Sequence, residues 1–258
     1  MVEAFTLRMA GFLFEVRPRF EAVRRLCADY LVDGSAAAPD LVVEPTAADI
    51  ECERAVGGSQ TAWSDAYLET LAVYRAISEW LPLHGCLLIH GAAIAYDGSA
   101  YLFSAPSGTG KTTHVRLWRE HLGSAATVVN GDKPLVRVLD RTDAPLAVPL
   151  VYGTPWCGKE GWQQNVSVPL RGISLVTRAG ARAGGNAICR VEPAAVLERI
   201  VRQVYLPADT AAAGATLDLL DRLLSRVPVF ELVCDMTEDA VTTSFEGLTG
   251  HAYPAGLA

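Results

Sequence analysis

The stretch FSAPSGTGKTTHV, Phe103 to Val115, decides how this chain is read. From Ala105 it runs Ala-Pro-Ser-Gly-Thr-Gly-Lys-Thr, the spacing of a phosphate-binding loop with alanine at the place of the first glycine. Glycines and small residues let successive backbone N–H groups curl around an anion. A helix starting directly afterwards offers that anion its positive end. A lysine in this position can reach β- and γ-phosphates, and the next threonine hydroxyl can bind Mg²⁺. Pro106, Ser107, Gly108, Thr109, Gly110, Lys111, Thr112 and Thr113 are therefore the expected phosphate-binding residues.

The flanks fit that loop. The apolar run Ala100–Phe103 reads as a strand, and Gly110 to His121 reads as a helix, with His114 expected to be exposed. Upstream, Asp97-Gly98 sits between two apolar stretches, which is a strong hairpin signal. Downstream, TVVNGD reads as an apolar strand ending in an acid, Asp132, 21 residues after Lys111. That leaves room for one helix and a turn. An acid so placed can hold Mg²⁺, directly or through water, or accept the proton of an attacking hydroxyl.

Further out, residues 5–16 read as two strands around Ala10-Gly11, and 18–31 as a helix with Pro18 in its first turn. Asp40–Pro45 is a short strand, and 55–62 an exposed Gly-rich loop. A helix starts at Ser64, its N-cap, with Tyr67, Leu71, Tyr74, Ile77 and Leu81 on one core-facing side. Later apolar runs give strands over 134–139, 148–156, 168–179 and 229–234. Helices are expected over 192–206, 210–227 and 237–248. The layout suggests a small N-terminal α+β region over 1–82 and a larger α/β nucleotide domain over 83–258.

Composition narrows the function. The 258 residues are 50% hydrophobic and 20% charged, with net charge −7, the balance of a globular chain with ample core. No Lys/Arg run exists, which argues against nucleic acid. No apolar run approaches the roughly 20 residues of a membrane helix, and no signal peptide is read at the N-terminus. The six cysteines stand singly and read as free thiols of a cytoplasmic protein. The base-reading N-K-x-D and the D-x-x-G switch of GTPases are missing. Transfer of a phosphoryl group to an acceptor is the remaining common use of such a loop.

Residues 88–118, LIHGAAIAYDGSAYLFSAPSGTGKTTHVRLW, resemble the catalytic domain of the bacterial HPr kinase/phosphorylase family, related to phosphoenolpyruvate carboxykinases. Asn130-Gly131-Asp132-Lys133-Pro134, Gly153–Glu160 (GTPWCGKE) and Val168-Pro169-Leu170 extend the likeness to HPr-kinase-like proteins of peptide-modification gene clusters. It covers roughly 84–250. HPr kinases usually end the acid strand with two adjacent aspartates, and Gly131 replaces the first here.

The resemblance implies an α/β fold with a phosphoenolpyruvate-carboxykinase-like P-loop core and a mixed sheet. It implies an ATP/Mg²⁺-dependent kinase whose acceptor is a serine hydroxyl of a peptide or protein, and a homo-oligomer. Catalytic roles fall on Asp132, His90, Lys111 and Lys159, and metal binding on Thr112, Asp132 and Glu160. Lys159 would neutralise the charge of the transferred phosphate. Two other readings stay open. One is a small-molecule kinase for an amino acid, sugar or polyol. The other is a nucleotide-binding regulator without catalysis.

Overall fold

The computed structural model describes residues 2–32, 34, 37–57, 63–139, 148–180 and 185–254. Strands β1 (Phe5–Met9) and β2 (Phe12–Val16) form an antiparallel hairpin, with Ala10 and Gly11 at φ 52° and 83°. Positive φ at both turn residues matches the twist of the flanking strands. Strand β3 (Leu41–Val43) adds in parallel to β2. Helix α1 (Glu21–Leu26) is shorter than expected, and Pro18 lies ahead of it rather than in its first turn. The side chain of its N-cap, Phe20, has no hydrogen-bonding group to cap it. The buried Glu69 carboxylate instead accepts from the N–H groups of Arg19 and Phe20, at 2.7 and 2.9 Å.

Helix α2 (Ala47–Gly57) takes in residues 55–57, where the sequence predicts a loop; 58–62 lie outside the described residues. Helix α3 (Asp65–Trp80) starts where Ser64 Oγ accepts from Tyr67 N. Its buried side carries Leu68, Val73, Tyr74 and Ile77, whereas Tyr67 is 46% exposed. Tyr74, Ile77 and Leu81 of the expected stripe are buried, whereas Leu71 is half-buried and Tyr67 lies at the edge of the apolar face.

The main sheet is built on β4 (Cys86–Leu88), β5 (Gly91–Tyr96), β6 (Ser99–Ser104), β7 (Ala126–Asn130), β8 (Leu135–Arg137), β9 (Leu150–Tyr152) and β10 (Ser167–Arg178). Their order is β4-β8-β9-β10-β6-β5-β7. Strand β10 is long enough for three partners. Its start pairs antiparallel with β9, its middle parallel with β6, and its end parallel with β12 (Val229–Cys234). Strand β11 (Ala187–Val191) pairs antiparallel with β12. The sheet is therefore mixed and the protein is α/β. The parallel strands β6, β10 and β12 all end on one edge, and binding sites in such sheets form at that edge.

Both faces of the sheet are covered. Helices α5 (Pro193–Val201) and α6 (Thr210–Leu224) pack Val196, Ile200, Leu219 and Leu223 onto one face, against Leu102, Val129 and Ile173. Helices α4 (Lys111–Leu122) and α7 (Glu238–Thr249) pack Val115, Trp118 and Phe245 onto the other, against Ile94 and Phe103. Alternation of Leu102 and Phe103 between the two faces is the period-two pattern of a strand. A further apolar cluster joins β1, β2 and α3 to Cys86, Leu88, Leu135 and Trp156. No described helix is long and apolar enough to cross a membrane.

Candidate active site

The β5–β6 hairpin places the first site residue. Asp97 and Gly98, at φ 45° and 67°, make its tight turn. Pairing runs back from there to Gly91 opposite Ser104, which sets His90 level with the start of the glycine loop. Ser104 Oγ donates to His90 O at 2.7 Å and fastens the two together. Strand β7 then pairs with the far side of β5, and Gly91 N donates to Asp132 O at 2.9 Å. Hairpin register thus carries His90, the glycine loop and Asp132 to one place.

In the loop, Pro106, Ser107 and Gly108 are exposed, Thr109 and Gly110 are half-buried, and Gly108 and Gly110 take φ 78° and 120°. Helix α4 has no side-chain cap on its N-terminus, so Thr112 and Thr113, both half-buried, begin it with backbone N–H groups in want of acceptors. Lys111 is buried, and its Nζ donates to Ala105 O at 2.8 Å. Burial lowers its pKa, the nearby Asp132 carboxylate opposes that, and Lys133 adds to it. Arg178, at the end of β10, donates from Nε to Thr109 O at 2.8 Å and from Nη2 to Gly108 O at 2.5 Å. It braces the loop through carbonyls.

Asp132 sits two residues beyond β7 in a tightly bonded turn. The Asn130 side chain accepts from the N–H of Asp132 and of Lys133 at 2.9 and 2.7 Å, and donates to Thr154. Thr154 Oγ1 and Tyr74 Oη each donate to Lys133 O at 2.9 Å. Trp156 stacks on Tyr74 with ring centroids 4.1 Å apart, and its Nε1 donates to Thr70 O. The N-terminal helix α3 therefore buttresses the acid's turn.

The carboxylate itself lies between Lys133 and His90. Oδ2 is 2.5 Å from Lys133 Nζ and Oδ1 is 3.5 Å from His90 Nε2. Burial pushes the Asp132 pKa upward, but the hydrogen bond from His90 and the charge of Lys133 overcome it and hold the carboxyl well below the usual range. Asp132 is thus ionised at neutral pH. His90 Nδ1 stands 3.0 Å from Oε1 of the buried Gln203, whose backbone carbonyl also accepts from His90 N at 2.7 Å. Gln203 and Lys133 were not singled out from sequence. Gln203 follows the end of α5 and carries no motif, while Lys133 is adjacent to the acid and could have been read as its partner.

Lys159 and Glu160 lie in an exposed turn after Gly158, which has φ 85°. A Cβ on Gly158 would stand 3.3 Å from Asp132 Cβ and 3.7 Å from Glu160 Oε2, so this turn packs on Asp132 and brings Glu160 beside it. Oxygen donors from Thr112, Asp132 and Glu160 suit a hard cation such as Mg²⁺. Among the described residues no group of three or more His, Cys, Asp or Glu is arranged to hold a metal. Gly131 has its own reason: a Cβ there would lie 2.7 Å from Cys157 O. An aspartate at 131 has no room while that carbonyl stands there.

His114 is not exposed as expected. It is 2% exposed, with Nε2 2.9 Å from Ser244 Oγ, and burial lowers its pKa to about 4. No protein-family model matches the chain, and no curated protein is significantly similar to it.

Proposed function

We propose that the protein is an ATP- and Mg²⁺-dependent phosphotransferase that passes the γ-phosphoryl group to a hydroxyl, a serine of a peptide or protein being the acceptor class that the HPr-kinase-like motifs favour. The observation that carries this reading is the Asp132 carboxylate, held between Lys133 and His90, on the same hairpin register as a glycine loop whose buried Lys111 is bonded to Ala105 O. The same motifs favour a phosphoenolpyruvate-carboxykinase-like core for the α/β fold.

Each role follows from the chemistry. The loop N–H groups and the N-terminus of α4 bind phosphate oxygens. Lys111 exchanges its bond to Ala105 O for one to a phosphate and stabilises the charge there. Asp132 accepts the proton of the attacking hydroxyl, which needs a carboxylate in its ionised form. His90, held by Gln203, fixes the direction of that carboxylate. Lys159, in the exposed turn that packs on Asp132, would neutralise phosphate charge. Thr112, Asp132 and Glu160 would hold Mg²⁺, which screens the charge of the phosphates when bound.

A second reading has one observation behind it. Lys133 lies on Asp132 Oδ2 and must move aside before that oxygen serves a metal or a proton, which would suit a nucleotide-dependent regulator. One incubation separates the two. Labelled ATP, Mg²⁺ and a mixture of seryl peptides and free polyols are read by mass spectrometry for a species heavier by one phosphate. Transfer that disappears in Lys111→Ala, with unchanged circular dichroism, is the expected result. ATP bound with no transfer to any acceptor or to water would leave the regulator.

A further inference from the structure

We infer that the outer edge of β7 is a docking strip for an extended, acidic stretch of the acceptor peptide; this rests on reading the acceptor as a peptide. Strand β7 ends the order of the main sheet and pairs with β5 alone. On its outer side the segment 162–164 covers just the last part. Gln164 N donates to Val129 O at 3.1 Å, and Gly131 N donates to Trp162 O at 2.9 Å. Beside Ala126–Val128 no strand stands on that side among the described residues.

Register decides which backbone groups face out. Gly91 turns its N–H toward the β7 side, to Asp132 O, so Ala93 and Ala95 in the same phase of β5 turn theirs that way too. Ala95 stands opposite Thr127, which therefore bonds inward. Its neighbours Ala126 and Val128 then point backbone groups outward, and the irregularity between Ala93 and Ile94 lets Val129 O face outward as well. Open edge backbone is a template for another chain, and strand addition is a common way to hold a peptide.

A groove of about 780 Å³ runs along this strip, between the second half of α4 and the segment 161–164. Arg119 lies in its wall over the Trp162 ring, with Cζ 4.8 Å from the centroid. Arg119 is exposed and has no carboxylate partner among the described residues. Its neighbours Arg116 and Glu120 face each other at 3.7 Å. The open backbone accepts any extended chain, and the unpaired guanidinium selects an acidic side chain on it.

The strip also leads to the chemistry. Asp132 follows Thr127 by five residues, and Trp162 O at the end of the groove holds the N–H of Gly131 beside that acid. At about 3.3 Å per residue of strand, a serine reaches Asp132 roughly five residues from the docked stretch. A free amino acid, sugar or polyol is too short to use both places.

The test uses synthetic peptides with the stretch Glu-Val-Glu-Val-Glu and a serine about five residues away, placed before the stretch in one peptide and after it in the other. Binding is read by fluorescence anisotropy without nucleotide, and transfer from Mg²⁺-ATP by mass spectrometry. At least one peptide is expected to bind and to gain phosphate on its serine. N-methylation of alternate residues in the stretch should weaken binding by about tenfold or more in one phase, the scale of one or two lost hydrogen bonds, and little in the other. Arg119→Glu, at an exposed site, should weaken binding by about fivefold or more, favour a Lys-Val analogue and leave ATP binding unchanged. Equal binding of the parent and both methylated forms, or no response to Arg119→Glu, would overturn the docking strip. So would wild-type protein that binds neither peptide yet phosphorylates another serine or a polyol. Peptide bound in the expected pattern with no phosphate moved to any acceptor would contradict the phosphotransferase reading, and with it the acceptor role of the strip.

Discussion

His90 Nε2 stands 3.5 Å from Asp132 Oδ1, although 41 residues of hairpin, loop, helix and strand separate the two in sequence. What joins them is register. The Asp97-Gly98 turn fixes which residues of β5 and β6 pair, and β7 pairs with the other side of β5. The acid is then held by a second set of contacts, from Asn130, Thr154 and Tyr74.

Gln203 is expected to act on Asp132 through His90. In Gln203→Leu the ring loses the partner of Nδ1, and its other nitrogen is no longer directed at the carboxylate. Losing one buried hydrogen bond costs about 1 kcal/mol of stability. Turnover should fall by more than that loss explains, and the acid limb of its pH profile should shift. A merely structural glutamine would lower the urea midpoint and leave the pH profile alone. His90 titration followed by NMR gives a second readout.

His114 makes stability fall as the medium is acidified. Its pKa drops from the ordinary value near 6.5 to about 4 in the folded protein. Between those values the unfolded chain binds a proton that the folded one excludes, so stability rises with pH across that window. The full effect is about 3 kcal/mol. His114→Phe should flatten the stability profile between pH 4 and 6.5, as read by urea denaturation at stepped pH. An unchanged slope would show that the ring is not held neutral.

Asp132 contributes in the same direction at lower pH. Its folded-state pKa is depressed, so its contribution is complete above the ordinary carboxylate value near 4 and fades as pH falls below it. Asp132→Asn should therefore have a shallower loss of melting temperature below pH 4 than the wild type.

Gly131→Ala probes the close approach of the Cys157 carbonyl to the turn that carries Asp132. The added methyl would meet Cys157 O at 2.7 Å, and relieving such a clash typically costs about 1–3 kcal/mol. It should also push the Gly158 turn away from Asp132 and reduce transfer. A variant as stable and as active as the wild type would show that the turn is free to move.

Much of this architecture is legible in the sequence. The glycine loop, the Asp97-Gly98 turn and the apolar runs around them define β5, β6 and α4. Helix α2 escapes because Ala47–Gly57 mixes charged and small residues and buries only Ile50 and Glu53, which leaves no apolar stripe. Strand β11 escapes because it is mostly exposed and shows no clean alternation. His114 looked like an exposed polar residue beside the loop. Its spacing of four from Trp118, itself four from Leu122, marks the buried face of α4 and could have corrected that. Gln203 has no such local mark, because its importance comes from a contact 113 residues away.

The most direct test of the account is phosphoryl transfer from ATP by Asp132→Asn, measured beside ATP binding by the same protein. The expected result is transfer, or hydrolysis in the absence of acceptor, reduced by about 10²–10⁴-fold, the usual contribution of a positioned base, with ATP still bound. Transfer at the wild-type rate by a folded Asp132→Asn protein would contradict it.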